Sequence, residues 1–251
     1  MTGGARRGIF VAPFGELSEP ALVAELAAEA EAAGWDGFFL WDHVAYREPV
    51  RLIADPWIAL AAIAARTSRI VIGPLITPLP RRRIHRLARE TVSLDRLSGG
   101  RLVLGVGTGS QTSGEFDADR FGEEPDLRAR GRLLDDGLAR LGEYWAGEFE
   151  PTPVARIPIW VAARWPNQRP LRRAARFDGV FPIDQEEPAQ LEEMLAVVRA
   201  ERGDDLRGYD VVVTNPAGTD VRPWVRAGAT WCLTGFDTDP TAAAVREAIA
   251  G

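Results

Sequence analysis

The stretch "GGRLVLGVGTGSQ", residues 99–111, decides between two kinds of α/β fold. An apolar run ends in Gly105-Val106-Gly107-Thr108-Gly109, which raises the question of what lies so close to the backbone that side chains are absent. A dinucleotide phosphate is the familiar answer, but that fingerprint needs glycine at the first, third and sixth places, with a helix opening directly afterwards. The sixth place here is Ser110, and the residues that follow, "QTSGEFDADRFGEEPD", are polar and rich in Gly, Pro and Asp. The glycines therefore mark the end of a strand rather than a Rossmann turn.

Seven similar runs flank this one: "IFVAPF" (9–14), "GFFLW" (37–41), "RIVIGPLI" (69–76), "IPIWVAA" (157–163), "GVFPI" (179–183), "YDVVVT" (209–214) and "ATWCLTGF" (229–236). All are continuously apolar instead of alternating, as expected of strands buried on both faces of a parallel sheet. Helical segments lie between them. Ser18 with Pro20 is expected to open "PALVAELAAEAEAAG", closed by Gly34, and Asp55-Pro56 to cap "PWIALAAIAART". Asp239-Pro240 is expected to open the last helix, while "TDVRPWVRAG", interrupted by Pro223, supports only a turn or two. Eight strands alternating with about eight helices predict an α/β (β/α)8 TIM barrel, a single domain over residues 1–251. An open doubly wound sheet is the alternative. The polar connection at about 110–127 is long enough to act as a lid.

Composition narrows the function. Hydrophobic residues make up 46% and charged residues 26%, the balance of a water-soluble globular chain. All 30 basic residues are Arg, set against 36 acids, and the net charge of -6 argues against nonspecific nucleic-acid binding. The single cysteine, Cys232 in "TWCL", forms no intrachain disulfide and reads as a small buried hydrophobe. The apolar run behind Arg6-Arg7 is short for a signal sequence and contains Pro13, and no stretch is long enough to span a bilayer; a cytoplasmic protein without membrane partners is expected. Two histidines and one cysteine far apart give no zinc spacing, so no metal is expected.

Chemistry in such a barrel belongs at the C-terminal strand ends. Those ends carry Phe14, Asp42 and His43, Thr77, Gly107 to Gly109, Ala163 and Arg164, Asp184, Asn215 and Thr234. An imidazole at that rim can move a proton near neutrality, which singles out His43. His85, in "RRRIHR", reads as a solvated helix start, and the triplet Arg81-Arg82-Arg83 as a solvated charged face. In "ARWPNQRPL" (163–171) the backbone turns through Pro166 and Asn167 into a helix whose free N–H groups suit a phosphate, with Arg164 or Arg169 adding charge.

Four fragments in their order, "AEAAGWDGFFLWDHV" (30–44), "DPWIALAAIAARTSRIVIGPLITPLPRRR" (55–83), "LARETVSLDRLSGGRLVLGVGTG" (87–109) and "DGVFP" (178–182), resemble the bacterial luciferase-like flavin-dependent oxidoreductases, including the branch that uses the deazaflavin F420. The resemblance implies a TIM barrel holding a noncovalent FMN or F420 ring at its C-terminal rim and acting on a small organic substrate by hydride transfer or monooxygenation. It implies catalytic roles for His43 and for Asp42 as its orienting partner. Phe14, Thr77, Gly107, Thr108, Gly109, Ala163, Arg164 and Asn167 are the expected cofactor contacts. A non-prolyl cis peptide is expected at Pro74-Leu75, and a homodimer is a further family expectation. Two departures stand out: Ser110 and Gln111 occupy the place where some F420-linked relatives carry an acid-base Glu, and Ile84 stands where relatives often have Pro. The rival readings are a noncatalytic flavin- or F420-binding protein and a TIM-barrel isomerase or lyase acting on a phosphorylated substrate.

Overall fold

A computed structural model describes residues 4–251; Met1–Gly3, ahead of the Arg6-Arg7 pair and its short apolar run, lie outside the described residues. The chain alternates strands and helices from end to end: β1 (Arg6–Val11), α1 (Pro20–Ala32), β2 (Gly37–Leu40), α2 (Pro56–Arg66), β3 (Val71–Pro74), β4 (Thr77–Pro78), α3 (Ile84–Ser98), β5 (Leu104–Gly107), α4 (Ala118–Phe121) and α5 (Leu127–Glu143). There follow β6 (Ile159–Ala163), α6 (Gln168–Ala174), β7 (Gly179–Pro182), α7 (Pro188–Arg202), β8 (Asp210–Pro216), α8 (Arg222–Arg226), β9 (Trp231–Gly235) and α9 (Ala242–Ala250). Every strand pairing is parallel, in the order β3-β2-β1-β9-β8-β7-β6-β5-β4.

The two ends of that order meet. Ile72 on β3 bridges to Leu102, and the Val103 N–H donates to the Ile72 carbonyl at 2.9 Å, so β3 and β4 are two halves of one barrel strand. An open sheet is thereby ruled out. Gly73 permits the closure, because a Cβ there would fall on the Val103 carbonyl oxygen. The non-prolyl cis peptide is Leu75-Ile76, one bond later than expected. The third strand keeps its pairing through Leu75, whose N–H donates to the Leu40 carbonyl at 2.7 Å, so the chain turns only after that residue.

The strand centres are apolar because both faces are covered. Phe10, Phe39, Val103, Trp160, Phe181, Val212 and Leu233 fill the barrel interior, while Ile9, Val11, Phe38, Leu40, Val211 and Val213 pack outward against the helices. Each such large side chain contributes about 1.5–3 kcal/mol by leaving water. Asp55 caps α2 as expected, its Oδ1 accepting from the N–H groups of Trp57 and Ile58 at 2.9 and 3.0 Å. Two helix starts differ from expectation. Glu19 precedes α1, since the Ser18 hydroxyl is spent on the Gly15 carbonyl in a short 3-10 turn. Thr241, whose Oγ1 accepts from the Ala244 N–H at 3.2 Å, caps α9 two residues beyond Asp239. No helix among the described residues is long and apolar enough to cross a membrane.

Candidate active site

Side chains alternate in and out along a strand, so the inward positions above the packed interior can be read from those below. Above Phe39, Trp160, Phe181, Val212 and Leu233 stand Trp41, Ala162, Ile183, Thr214 and Gly235, with Ile76 beside them. All six are half-buried, whereas the layer beneath is closed to solvent. The result is a shallow bowl at the C-terminal rim, mostly apolar, with small residues on part of its floor. Two donors in it, Trp41 Nε1 and Thr214 Oγ1, are buried with no hydrogen-bond partner among the described residues. Buried polar groups are normally paired, so this bowl has hydrogen-bonding capacity to give to something else.

His43 stands at the edge of the bowl. Phe14, Trp41 and Tyr46 surround its ring at centroid distances of 6.0, 5.8 and 5.1 Å. Its side chain is 16% exposed, and Nδ1 lies 2.7 Å from Oε2 of Glu115, a carboxylate with no exposure at all. Glu115 also accepts from the Val44 N–H at 2.7 Å through Oε1 and from the Ser113 hydroxyl at 3.1 Å through Oε2. Burial pushes the Glu115 carboxyl up, but the hydrogen bond and charge of His43, the Arg81 charge and the Val44 N–H outweigh it and hold it below the ordinary carboxylate range. Nε2 of His43 has no hydrogen-bond partner among the described residues.

Asp42 does something other than orient His43. It lies just beyond the end of β2 with its carboxylate engaged away from the ring, where its Oδ2 accepts from Thr77 Oγ1 at 2.8 Å and Trp57 Nε1 at 3.0 Å. Its Oδ1 accepts from Arg81 at 2.8 Å. Arg81 is therefore no solvated charge: its side chain is 6% exposed, between Asp42 and Glu115, because the short 3-10 turn over Leu79–Arg81 folds it back under the rim. The orienting acid is Glu115, which the sequence reading passed over. It stands beyond Ser110 and Gln111 in the same loop, the only Glu between the glycines and Phe116.

The remaining expected contacts are dispersed. Phe14 is buried in the aromatic group around His43, and Thr77 is buried against Asp42. At Gly107 the space of a missing Cβ is taken by Ile76, and at Gly109, with φ +81°, by the Phe116 ring. The strand-end glycines thus make room for the chain's own side chains. Thr108 offers its carbonyl to the buried Arg130 at 3.1 Å, and Arg130 lies 4.0 Å over Phe116. Ala163 is buried toward the helices. Arg164 is 63% exposed and paired with Asp184, and Asn167 caps α6 by accepting from the Arg169 N–H at 3.2 Å. His85 is exposed on the first turn of α3, as expected.

A family model described as luciferase-like monooxygenase matches residues 8–220. The chain belongs to the luciferase-like monooxygenase family. Curated proteins similar to it include an F420-dependent glucose-6-phosphate dehydrogenase of Nakamurella multipartita, 30% identical over an alignment of 169 residues that covers 59% of this chain and 48% of that protein. An F420-dependent hydroxymycolic acid dehydrogenase of Mycobacterium tuberculosis is 30% identical over an alignment of 166 residues, with 58% of this chain and 45% of that one covered. The chain spans about half the length of the curated relatives it matches. Among solved structures, an F420-dependent secondary alcohol dehydrogenase in complex with an F420-acetone adduct superposes with a TM-score of 0.80 at 15% identity, covering 98% of this chain and 97% of that one. Monooxygenase RslO1 from Streptomyces bottropensis gives 0.75 at 17% identity, with 98% and 96% covered. At such identities these likenesses speak to the luciferase-like barrel alone.

Proposed function

We propose that this luciferase-like chain is an oxidoreductase that binds the F420 deazaflavin or FMN noncovalently in the bowl at the barrel mouth and acts on a small organic substrate. The observation that carries the reading is His43, walled by three aromatic rings beside an apolar bowl that holds two unpartnered buried donors, with Nδ1 committed to Glu115 and Nε2 free. A flat ring with polar edges fits those features: apolar floor for its face, Trp41 and Thr214 for its edge atoms.

Trp41, Ile76, Ala162 and Thr214 would hold the ring, with the backbone of Gly107, Thr108 and Gly109 along one side and Phe14 behind His43. Arg164, with Asn167 at the start of α6, would meet the anionic tail; its exposed guanidinium exchanges Asp184 for phosphate at little cost, because surface ion pairs are worth only about 0–1 kcal/mol. When bound, F420 supplies hydride transfer, and FMN adds reactions with oxygen. The chain's own part is to keep one face of the site dry with Phe14, Trp41 and Tyr46 and to hold a proton-moving nitrogen, His43 Nε2, at the rim. Such a group contributes typically about 10²–10⁴ in rate. The names of the curated relatives favour F420.

The test is a fluorescence titration of the purified protein with FMN and with F420, repeated on His43→Ala. Saturable binding of one cofactor by both proteins, with turnover lost in the variant, is the expected result. Binding of neither would overturn the reading.

A further inference from the structure

We infer that Glu115 is a positioning residue that sets the tautomer of His43, keeping the proton on Nδ1 and presenting Nε2 to the bowl. The inference rests on the reading of His43 as the proton-moving group, but it is carried by the geometry of the carboxylate. An ionised carboxylate only accepts hydrogen bonds. With Oε2 2.7 Å from Nδ1, the imidazole must carry its proton there. Which ring nitrogen is protonated is governed by the bond the other one makes, and here that bond is to a group from a different part of the chain.

The second carboxylate oxygen sharpens the argument. Oε1 accepts from the Val44 N–H at 2.7 Å, and a backbone N–H can only donate. The two oxygens are thus committed to two separate donors. An amide in the same place has one oxygen and one NH₂. The Val44 N–H claims the oxygen, so the NH₂ faces Nδ1 and the Ser113 hydroxyl, and the hydrogen aimed at the ring needs a bare ring nitrogen. Ser113, whose hydroxyl now donates to Oε2 at 3.1 Å, can rotate to accept instead and so does not oppose the change. Glu115→Gln is therefore expected to invert the ring, moving the proton from Nδ1 to Nε2, in a chain that otherwise keeps its packing.

The loop at 110–127 acquires a role from this. Its middle, with Ser113, Glu115 and Phe116 buried, is anchored under the rim by the His43 and Val44 bonds, whereas residues 117–122 are exposed. The buried acid of this loop reaches His43 at Nδ1.

The experiment uses the full chain, uniformly ¹⁵N-labelled and without cofactor. His43 and His85 are the only two histidines, so His85→Gln leaves a single imidazole to observe. At about pH 9, where an imidazole is ordinarily neutral, two-bond ¹H–¹⁵N spectra identify the protonated nitrogen directly. The expected result is an Nδ1–H ring with Glu115 present and an Nε2–H ring in Glu115→Gln, the latter with kcat lowered about 100-fold or more and cofactor Kd changed less than threefold. An Nε2–H ring with Glu115 in place overturns the inference without need of any variant. An unchanged tautomer in Glu115→Gln overturns it equally. The spectra need no cofactor, so failure of this inference and failure of the oxidoreductase reading are separate results.

Discussion

Thr77 donates from Oγ1 to Oδ2 of Asp42 at 2.8 Å, tying the third barrel strand to the end of the second directly beneath the rim. Both residues are buried, and Arg81 and Trp57 complete the shell of the same carboxylate. The role of Asp42 is to hold three elements together. Asp42→Ala leaves the Arg81 charge buried beside Glu115 alone, and breaking such a pair costs about 3–5 kcal/mol. Thr77→Val removes one neutral-to-charged hydrogen bond, worth about 1.5–3 kcal/mol. Urea unfolding of the two variants checks the order, which a purely catalytic role for Asp42 would not produce.

Gly109 and Gly107 are expected to answer differently to the same substitution. Gly109→Ala must adopt φ +81° and place its methyl on the Phe116 ring, which also carries the Arg130 guanidinium at 4.0 Å. The left-handed conformation costs about 1–2 kcal/mol and overpacking about 1–3 more. Gly107→Ala meets the end of the Ile76 side chain, which can turn away, so only the packing cost applies. Thermal melts of both variants should place Gly109→Ala lower.

Acid should act partly through Glu115. Its carboxyl is depressed in the folded chain, so it binds a proton less readily there than when unfolded. The stability it supplies is complete above its ordinary value of 4.5 and is lost as pH falls through the lower folded value. Denaturant unfolding between neutral pH and pH about 3 should show this part of the acid sensitivity in the native chain and not in Glu115→Gln. Equal acid slopes would contradict the assignment.

Cys232 on β9 is buried, and burial pushes its thiol up to about 11. Only the thiolate is reactive. A disulfide reagent at pH about 8 should therefore modify Cys232 at the rate of unfolding, with urea raising the rate to that of a free thiol. Immediate reaction in buffer would mean that β9 opens locally.

Arg101 illustrates a cation used as mortar. Its guanidinium donates to the carbonyls of Ala64, Thr67, Ile70 and Ser98, closing the C-terminal ends of α2 and α3 where free carbonyls collect. A lysine has one ammonium and cannot reach in four directions, so Arg101→Lys should cost about 1–3 kcal/mol. Calorimetry of that variant measures the loss.

The barrel was legible because its evidence is local and repeated. Runs such as 37–41 and 179–183 are apolar on both faces, caps such as Asp55-Pro56 announce their helices, and glycines such as Gly34, with φ +81°, close them. Burial on two faces leaves a continuous mark in the chain, and eight such marks in alternation with helices leave few architectures. The rim position of His43 followed from the same logic, since strand ends can be counted.

What surrounds His43 could not be counted. Glu115 lies 72 residues away on a loop without periodicity, and Arg81 sat in a triplet that looks like any solvated cluster. Neither spacing nor composition tells which of three adjacent arginines folds inward, because the choice depends on the direction of one 3-10 turn and on an acid waiting beneath it. The sequence by itself determined the barrel and the rim on which chemistry is placed. Only the tertiary structure decided that Asp42 faces away from His43 and that Glu115 faces it, because hydrogen bonding at short range depends on side-chain direction and not on order along the chain.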